Sequence, residues 1–157
     1  MKNIEFTPEI LEFAEIILDP VKFAEYHFGW KAYDYQADVL RDPLRNVALR
    51  FARRHGKSDL MAIKAIHYTF THGDDPADPT IRPSVVLVTA PYERQVKLIF
   101  KRIRELIKKS PELTQAVAHD IQNPDTITWK NGATIMGITA ASRAGQGAAG
   151  ARGQRAD

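Results

Sequence analysis

Arg53-Arg54-His55-Gly56-Lys57-Ser58 joins a β-type run to a long apolar helix pattern, and no other passage restricts the fold so strongly. The run from Val47 to Phe51 is short and β-rich. The stretch from Asp59 to Tyr68 is apolar on almost every side, which predicts a buried helix. Strand, tight loop ending in Gly-Lys-Ser, then helix is the layout of a phosphate-binding loop. Backbone N–H groups of the loop and the helix start wrap a polyphosphate, and Gly56 allows close backbone approach. Lys57 adds a point charge to the β- and γ-phosphates, and the Ser58 hydroxyl reaches a magnesium ion. The full pattern asks for glycine where Phe51 stands, and two arginines occupy this loop. The competing reading is a plain helix start, with Ser58 near the cap and Lys57 solvated.

At 157 residues the chain is long enough for one domain with its own core and too short for two of ordinary size. An apolar content of 44% with 26% charged residues describes a soluble globular protein. No cysteine is present, which excludes disulfide scaffolds and thiolate-bound zinc. The start Met1-Lys2-Asn3-Ile4-Glu5 lacks the apolar stretch of a signal peptide, and no run reaches membrane-spanning length. The expected location is therefore the cytoplasm, with no membrane partner. The formal charge of +3 is unevenly spread: Arg94 to Lys109 holds most of the surplus, and Arg143, Arg152 and Arg155 add to the tail. That distribution allows a polyanionic partner.

Thr7-Pro8-Glu9 and Asp19-Pro20 both read as helix starts, with a capping side chain and proline in the first turn. Gly29 ends the second helix. Trp30 to Tyr35 is a dense aromatic patch, and Asp34 is placed to cap a helix running to Leu40. Gly73 to Thr80 is an acidic, proline-rich surface loop. Val85-Val86-Leu87-Val88 predicts a parallel strand covered on both faces. Val96, Ile99, Phe100, Ile103, Leu106 and Ile107 form one stripe of an amphipathic helix, with Lys97, Lys101, Arg104 and Lys108 opposite. Thr126 to Trp129 and Ala133 to Ile138 flank Asn131-Gly132, which predicts a β-hairpin.

Taken together, these passages resemble the ATPase domain of phage terminase large subunits, from Asp19 to the last residue. The Asp19-Pro20 start and Tyr35-Gln36 are similar to that family's adenine-recognition region. Arg53-Arg54-His55-Gly56-Lys57-Ser58 resembles its deviant Walker A loop, Val86 to Pro91 with Gln95 its second strand and helix, and Arg152 to Asp157 the approach to its Walker B strand.

The resemblance implies an α/β fold of the P-loop NTPase (ASCE, RecA-like) kind, a parallel sheet flanked by helices and incomplete here. Residues 1–45 would be N-terminal helices with the adenine region, and 46–157 the first part of the ATPase core. The implied cofactors are ATP and Mg2+. Gln36, Arg54, His55, Gly56, Lys57 and Ser58 would bind the nucleotide, Ser58 the metal. Arg53, matching the family's cis-acting arginine finger, would act with Lys57 in catalysis. The Gln36 amide suits the adenine N6/N7 edge, and Tyr33, Tyr35 or Trp30 the ring face.

The implied partners are double-stranded DNA, a portal protein, a small terminase subunit and further copies of the chain. The implied place of work is the host cytoplasm, at the procapsid portal. The Walker B strand, the coupling motif and the nuclease domain are expected beyond Asp157, so the chain reads as an N-terminal piece that binds MgATP without turning it over. Two other readings remain open: the first half of a nucleic-acid helicase, and a non-catalytic nucleotide-binding protein.

Overall fold

The computed structural model describes residues 7–43, 47–52 and 55–140. Two short helices come first, α1 (Pro8–Leu18) and α2 (Pro20–Phe28), each with proline in its first turn. Asp19 caps α2 by accepting from the Val21 N–H at 2.8 Å, and it ion-pairs with Arg41 at 2.8 Å. Partial burial pushes the Asp19 pKa up. The Arg41 guanidinium and two backbone N–H groups outweigh that and hold it below the usual carboxylate value. Gly29 closes α2 in the left-handed region at φ 62°. Helix α1 buries no residue, whereas α2 sinks Phe23, Ala24, His27 and Phe28 into the core.

Helix α3 (Asp34–Arg41) differs from expectation at its start. Tyr33 takes the cap position and Asp34 is the first helical residue. The Gln36 side chain, not that of Asp34, meets the exposed backbone end by accepting from the Tyr33 N–H at 3.1 Å. Helix α4 (Lys57–Thr71) follows the candidate loop. It is buried along one side through Leu60, Ala62, Ile63, Ile66 and Thr69, but Met61 and Tyr68 are exposed. The all-round apolar pattern therefore overstated its burial.

The remaining elements are β1 (Val85–Ala90), α5 (Glu93–Ile107), α6 (Pro111–Ala116), β2 (Val117–Gln122), β3 (Asp125–Trp129) and β4 (Thr134–Thr139). They build one four-stranded sheet in the order β1-β4-β3-β2, with β1 parallel to β4 and the other two pairs antiparallel. The sheet is thus mixed, not parallel. The Asn131-Gly132 hairpin forces β3 and β4 antiparallel, and Gly132 supplies the positive φ of 81° that its turn needs. Strand β2 has no apolar alternation, which is why its sequence did not announce it: five of its six residues are exposed.

Helices α4 and α5 lie against the sheet. Ile127, Trp129 and Ile135 point toward them, and Gly137 leaves room for Val96 and Phe100. On the alternate positions Thr126, Thr128, Thr134 and Met136 are only half-buried, while Val85 and Leu87 are 60% and 55% exposed. Strand β1 is therefore not covered on both faces as its sequence suggested. Residues 47–52 form no strand either. Leu49 and Phe51 pack on the core, but among the described residues β1 pairs only with β4, and Val47 to Phe51 does not add to its other edge. No described helix is long and apolar enough to cross a membrane.

Candidate phosphate-binding loop

Gly56 is the cap residue of α4 and stands in the left-handed region at φ 71°. A side chain there would be strained. A Cβ would also come to 2.9 Å from the Gln36 Nε2 atom. Backbone conformation thus favours glycine here, and any side chain would also have to displace the end of the Gln36 amide. The first N–H groups of a helix have no partner within the helix, and glycine has no side chain to cap them. The start of α4 therefore presents donors and the positive end of its dipole to whatever lies in the loop.

Lys57 is the first residue of α4. Its ammonium donates to the Phe51 carbonyl at 2.7 Å, folding back over the loop. A phosphate oxygen and a carbonyl oxygen compete for the same donor, so ligand binding requires Lys57 to exchange this contact. Ser58 is exposed in the first turn, as a hydroxyl that reaches a ligand-bound cation must be, and so is His55 at the loop's end. Arg53 and Arg54 lie outside the described residues, as do Arg143, Arg152, Arg155 and the whole stretch to Asp157.

Gln36 lies against the loop from the other side. It is 3% exposed. Its Oε1 accepts from the Tyr33 N–H, and its Nε2 donates to the His55 carbonyl at 3.4 Å. Tyr33 and Tyr35 stack with their rings at 5.9 Å and 4° apart, and Tyr35 meets the Phe51 ring edge-on at 5.2 Å. Trp30 packs partly buried against the core. The structure thus brings Gln36, Tyr35, His55, Gly56, Lys57 and Ser58 into one neighbourhood.

One contributor was missed from sequence. Asp59, in the first turn of α4, would place a negative charge beside an anion site. Arg102 of α5 grips it through two contacts, Nε to Oδ1 at 2.5 Å and Nη2 to Oδ2 at 3.1 Å. This pair offsets the carboxylate and ties α4 to α5. The clue was available, since an acid two residues after Lys57 needs a counter-charge if the loop is to hold phosphate.

The basic face of α5 is narrower than its sequence implied. Arg104 turns inward to Asp120 and Asp125, both at 2.8 Å, and lies over the Phe100 ring. Lys97 pairs with Glu93 at 2.6 Å. Arg94, Lys101, Lys108 and Lys109 remain exposed, with no acidic partner among the described residues.

Two other features are structural. His27, Ser110 and Glu112 form a cluster that superficially suits nucleophilic catalysis. Both the Ser110 hydroxyl at 2.9 Å and the Glu112 carboxylate at 3.2 Å approach the same ring nitrogen, Nδ1. A serine–histidine–acid relay needs them on opposite nitrogens. Burial holds the His27 imidazole below its ordinary pKa, with Glu112 pulling the other way, and the group joins α2 to the cap of α6. A groove of about 1570 Å³ lies away from the loop, between Leu18, Asp19, Arg41, Met61 and strand β1. Its walls are largely apolar and it holds none of the phosphate-loop residues. Among the described residues, no group of three His, Asp or Glu side chains is placed to hold a metal ion.

No family model and no curated protein matches the chain. Among solved structures it is similar to an arginine-to-alanine variant of the large terminase ATPase domain of Thermus phage P74-26. The TM-score is 0.63 and the identity 17%, over 82% of this chain. The chain spans about half the length of that structure, 53%. At this identity the likeness concerns the fold: a mixed four-stranded sheet flanked by helices, similar to a terminase ATPase domain.

Proposed function

We propose that this chain is the ATP-binding part of a viral DNA-packaging motor, the N-terminal ATPase region of a terminase large subunit. The observation that carries the reading is the His55-Gly56-Lys57-Ser58 loop on the uncapped start of α4, with Gly56 left-handed, in a fold similar to a terminase ATPase domain. The donor set fits a magnesium-bound polyphosphate. Backbone N–H groups at the α4 start bind phosphate oxygens, Lys57 leaves the Phe51 carbonyl to neutralise phosphate charge, and Ser58 meets the metal. MgATP supplies the energy for moving DNA when it is hydrolysed. Arg53 is assigned the finger role, with Arg54 and His55 completing the loop. Arg102 keeps Asp59 from repelling the ligand.

Titration of the full chain with MgATP, followed by calorimetry, tests the assignment. Micromolar to sub-millimolar binding is expected. Lys57→Ala should weaken it at least tenfold, about 1.4 kcal/mol, the scale of one charge-assisted contact. Undiminished binding by that variant sinks the phosphate-loop reading.

The same proposal assigns double-stranded DNA as a partner, with the portal protein, small terminase subunit and further copies of the chain as its assembly. Support for DNA comes from α5. Arg94, Lys101 and Lys108 recur every seven residues, hence on one face and about 10.5 Å apart along the axis, and none is spent on an acidic neighbour. Such a row suits phosphate backbones without reading bases. Replacing all three by glutamine should reduce the slope of log affinity against log salt by about 2–3 for duplex DNA, from roughly 0.9 per lost phosphate contact. An unchanged slope in fluorescence anisotropy would remove α5 from the DNA surface.

A further inference from the structure

We infer that Gln36 is a positioning residue for the phosphate loop, acting through its hydrogen bond to the His55 carbonyl and not through the nucleobase. The inference rests on the phosphate-loop reading and assigns the loop its support.

Three observations carry it. First, Gln36 is buried at 3% exposure, and both ends of its amide are engaged. Oε1 accepts the Tyr33 N–H at 3.1 Å and Nε2 donates to the His55 carbonyl at 3.4 Å. Second, the atom that reaches the loop is the same one that a Cβ on Gly56 would meet at 2.9 Å. Gln36 Nε2 thus sits where a side chain on residue 56 would begin, and any such side chain would have to displace it. Third, the contact spans from the first turn of α3 to the residue preceding the α4 cap, joining two elements that share no strand. A loop that must keep its N–H groups converged on a phosphate needs its carbonyls drawn away, outward from the ligand. The Nε2 donor does this for His55, next to the left-handed Gly56.

The physical consequence is nucleobase independence. A side chain that reads adenine alters the preference between bases and leaves a bare polyphosphate unaffected. A side chain that shapes the loop alters every phosphate ligand by the same factor. Magnesium ATP, magnesium GTP and magnesium tripolyphosphate, each titrated into the full chain, separate the two. Gln36→Glu keeps an acceptor for the Tyr33 N–H and loses the donor to His55. Gln36→Met keeps the length and removes both contacts without adding charge.

The expected result is a loss of about tenfold for all three ligands in both variants, the scale of one lost hydrogen bond beside a binding loop. Circular dichroism of both variants should remain that of the folded chain, although the buried carboxylate of Gln36→Glu lowers its melting temperature. Three results overturn the inference: loss confined to ATP, which makes Gln36 an adenine reader; a silent Gln36→Glu, which leaves it only a helix cap; and a silent Gln36→Met, which makes the glutamate effect one of charge. Failure of the wild-type chain to bind any of the three overturns the phosphate-loop reading itself, a result distinct from the other three.

Discussion

Trp129→Ala is expected to unfold the protein's core, at a cost of about 3–5 kcal/mol. Trp129 is 1% exposed and is one of the largest fully buried side chains. Its indole N–H donates to the Thr69 hydroxyl at 2.8 Å, and its ring meets Phe70 edge-on at 5.8 Å. The substitution opens a cavity between β3 and α4 and strips a buried hydroxyl of its donor. Thr69 keeps its own bond to the Ala65 carbonyl at 2.8 Å, so the hydroxyl is not wholly orphaned and the cavity dominates. Against the roughly 5–15 kcal/mol that holds a domain together, the loss takes a large share. Urea denaturation measures it directly. Trp129→Phe should cost far less, and a shift below about 1 kcal/mol for alanine would mean that β3 and α4 are not packed as described.

Gly56→Val should abolish phosphate-ligand binding while sparing most of the fold. A branched side chain at φ 71° is a backbone outlier, worth about 1–2 kcal/mol before any contact is counted. Its Cβ would also meet the Gln36 amide at 2.9 Å, and Gln36 is too buried to step aside freely. The loop must therefore leave its conformation. Because α4 is anchored by Leu60, Ile63 and Ile66 deeper in the core, the helix itself should survive. Circular dichroism near wild type, with MgATP binding lost in calorimetry, is the expected pair of results. Retained affinity would show that the left-handed Gly56 does not shape the site.

How far the sequence could be read depended on whether a signal was local. Pro8, Pro20 and Pro111 mark their helix starts by fixing φ, and Asn131-Gly132 marks its turn through the positive φ of Gly132. These are properties of one or two residues. Strand β2 carries no such mark, since it faces water on most positions and is a strand only because β3 lies beside it. Val47 to Phe51 shows the converse: β-type residues that pair with no described strand stay irregular, whatever their propensity. In the candidate site, Gly56, Lys57 and Ser58 were legible because a phosphate loop is contiguous. The grip of Gln36 on the loop and of Arg102 on Asp59 joins residues 19 and 43 positions apart, beyond the reach of any periodicity. Arg104 was misplaced on the solvent face for the same reason, as Asp120 and Asp125 call it inward.

The parallel join of β1 to β4 bears on how the molecule assembles. Helices and the β3–β4 hairpin close over short stretches of chain, which costs little loop entropy. Strand β1 has no hairpin partner: it must wait for α5, α6 and two later strands before Val86 can lie beside Ile135 and Val88 beside Gly137. Pairings of this kind form slowly, because distant segments are confined before their contacts repay it. The nascent chain therefore carries Val85 to Ala90 as an unfinished seam. Among the described residues that seam is closed on one side alone, by β4, and an unpaired strand edge is a template for any extended segment that arrives.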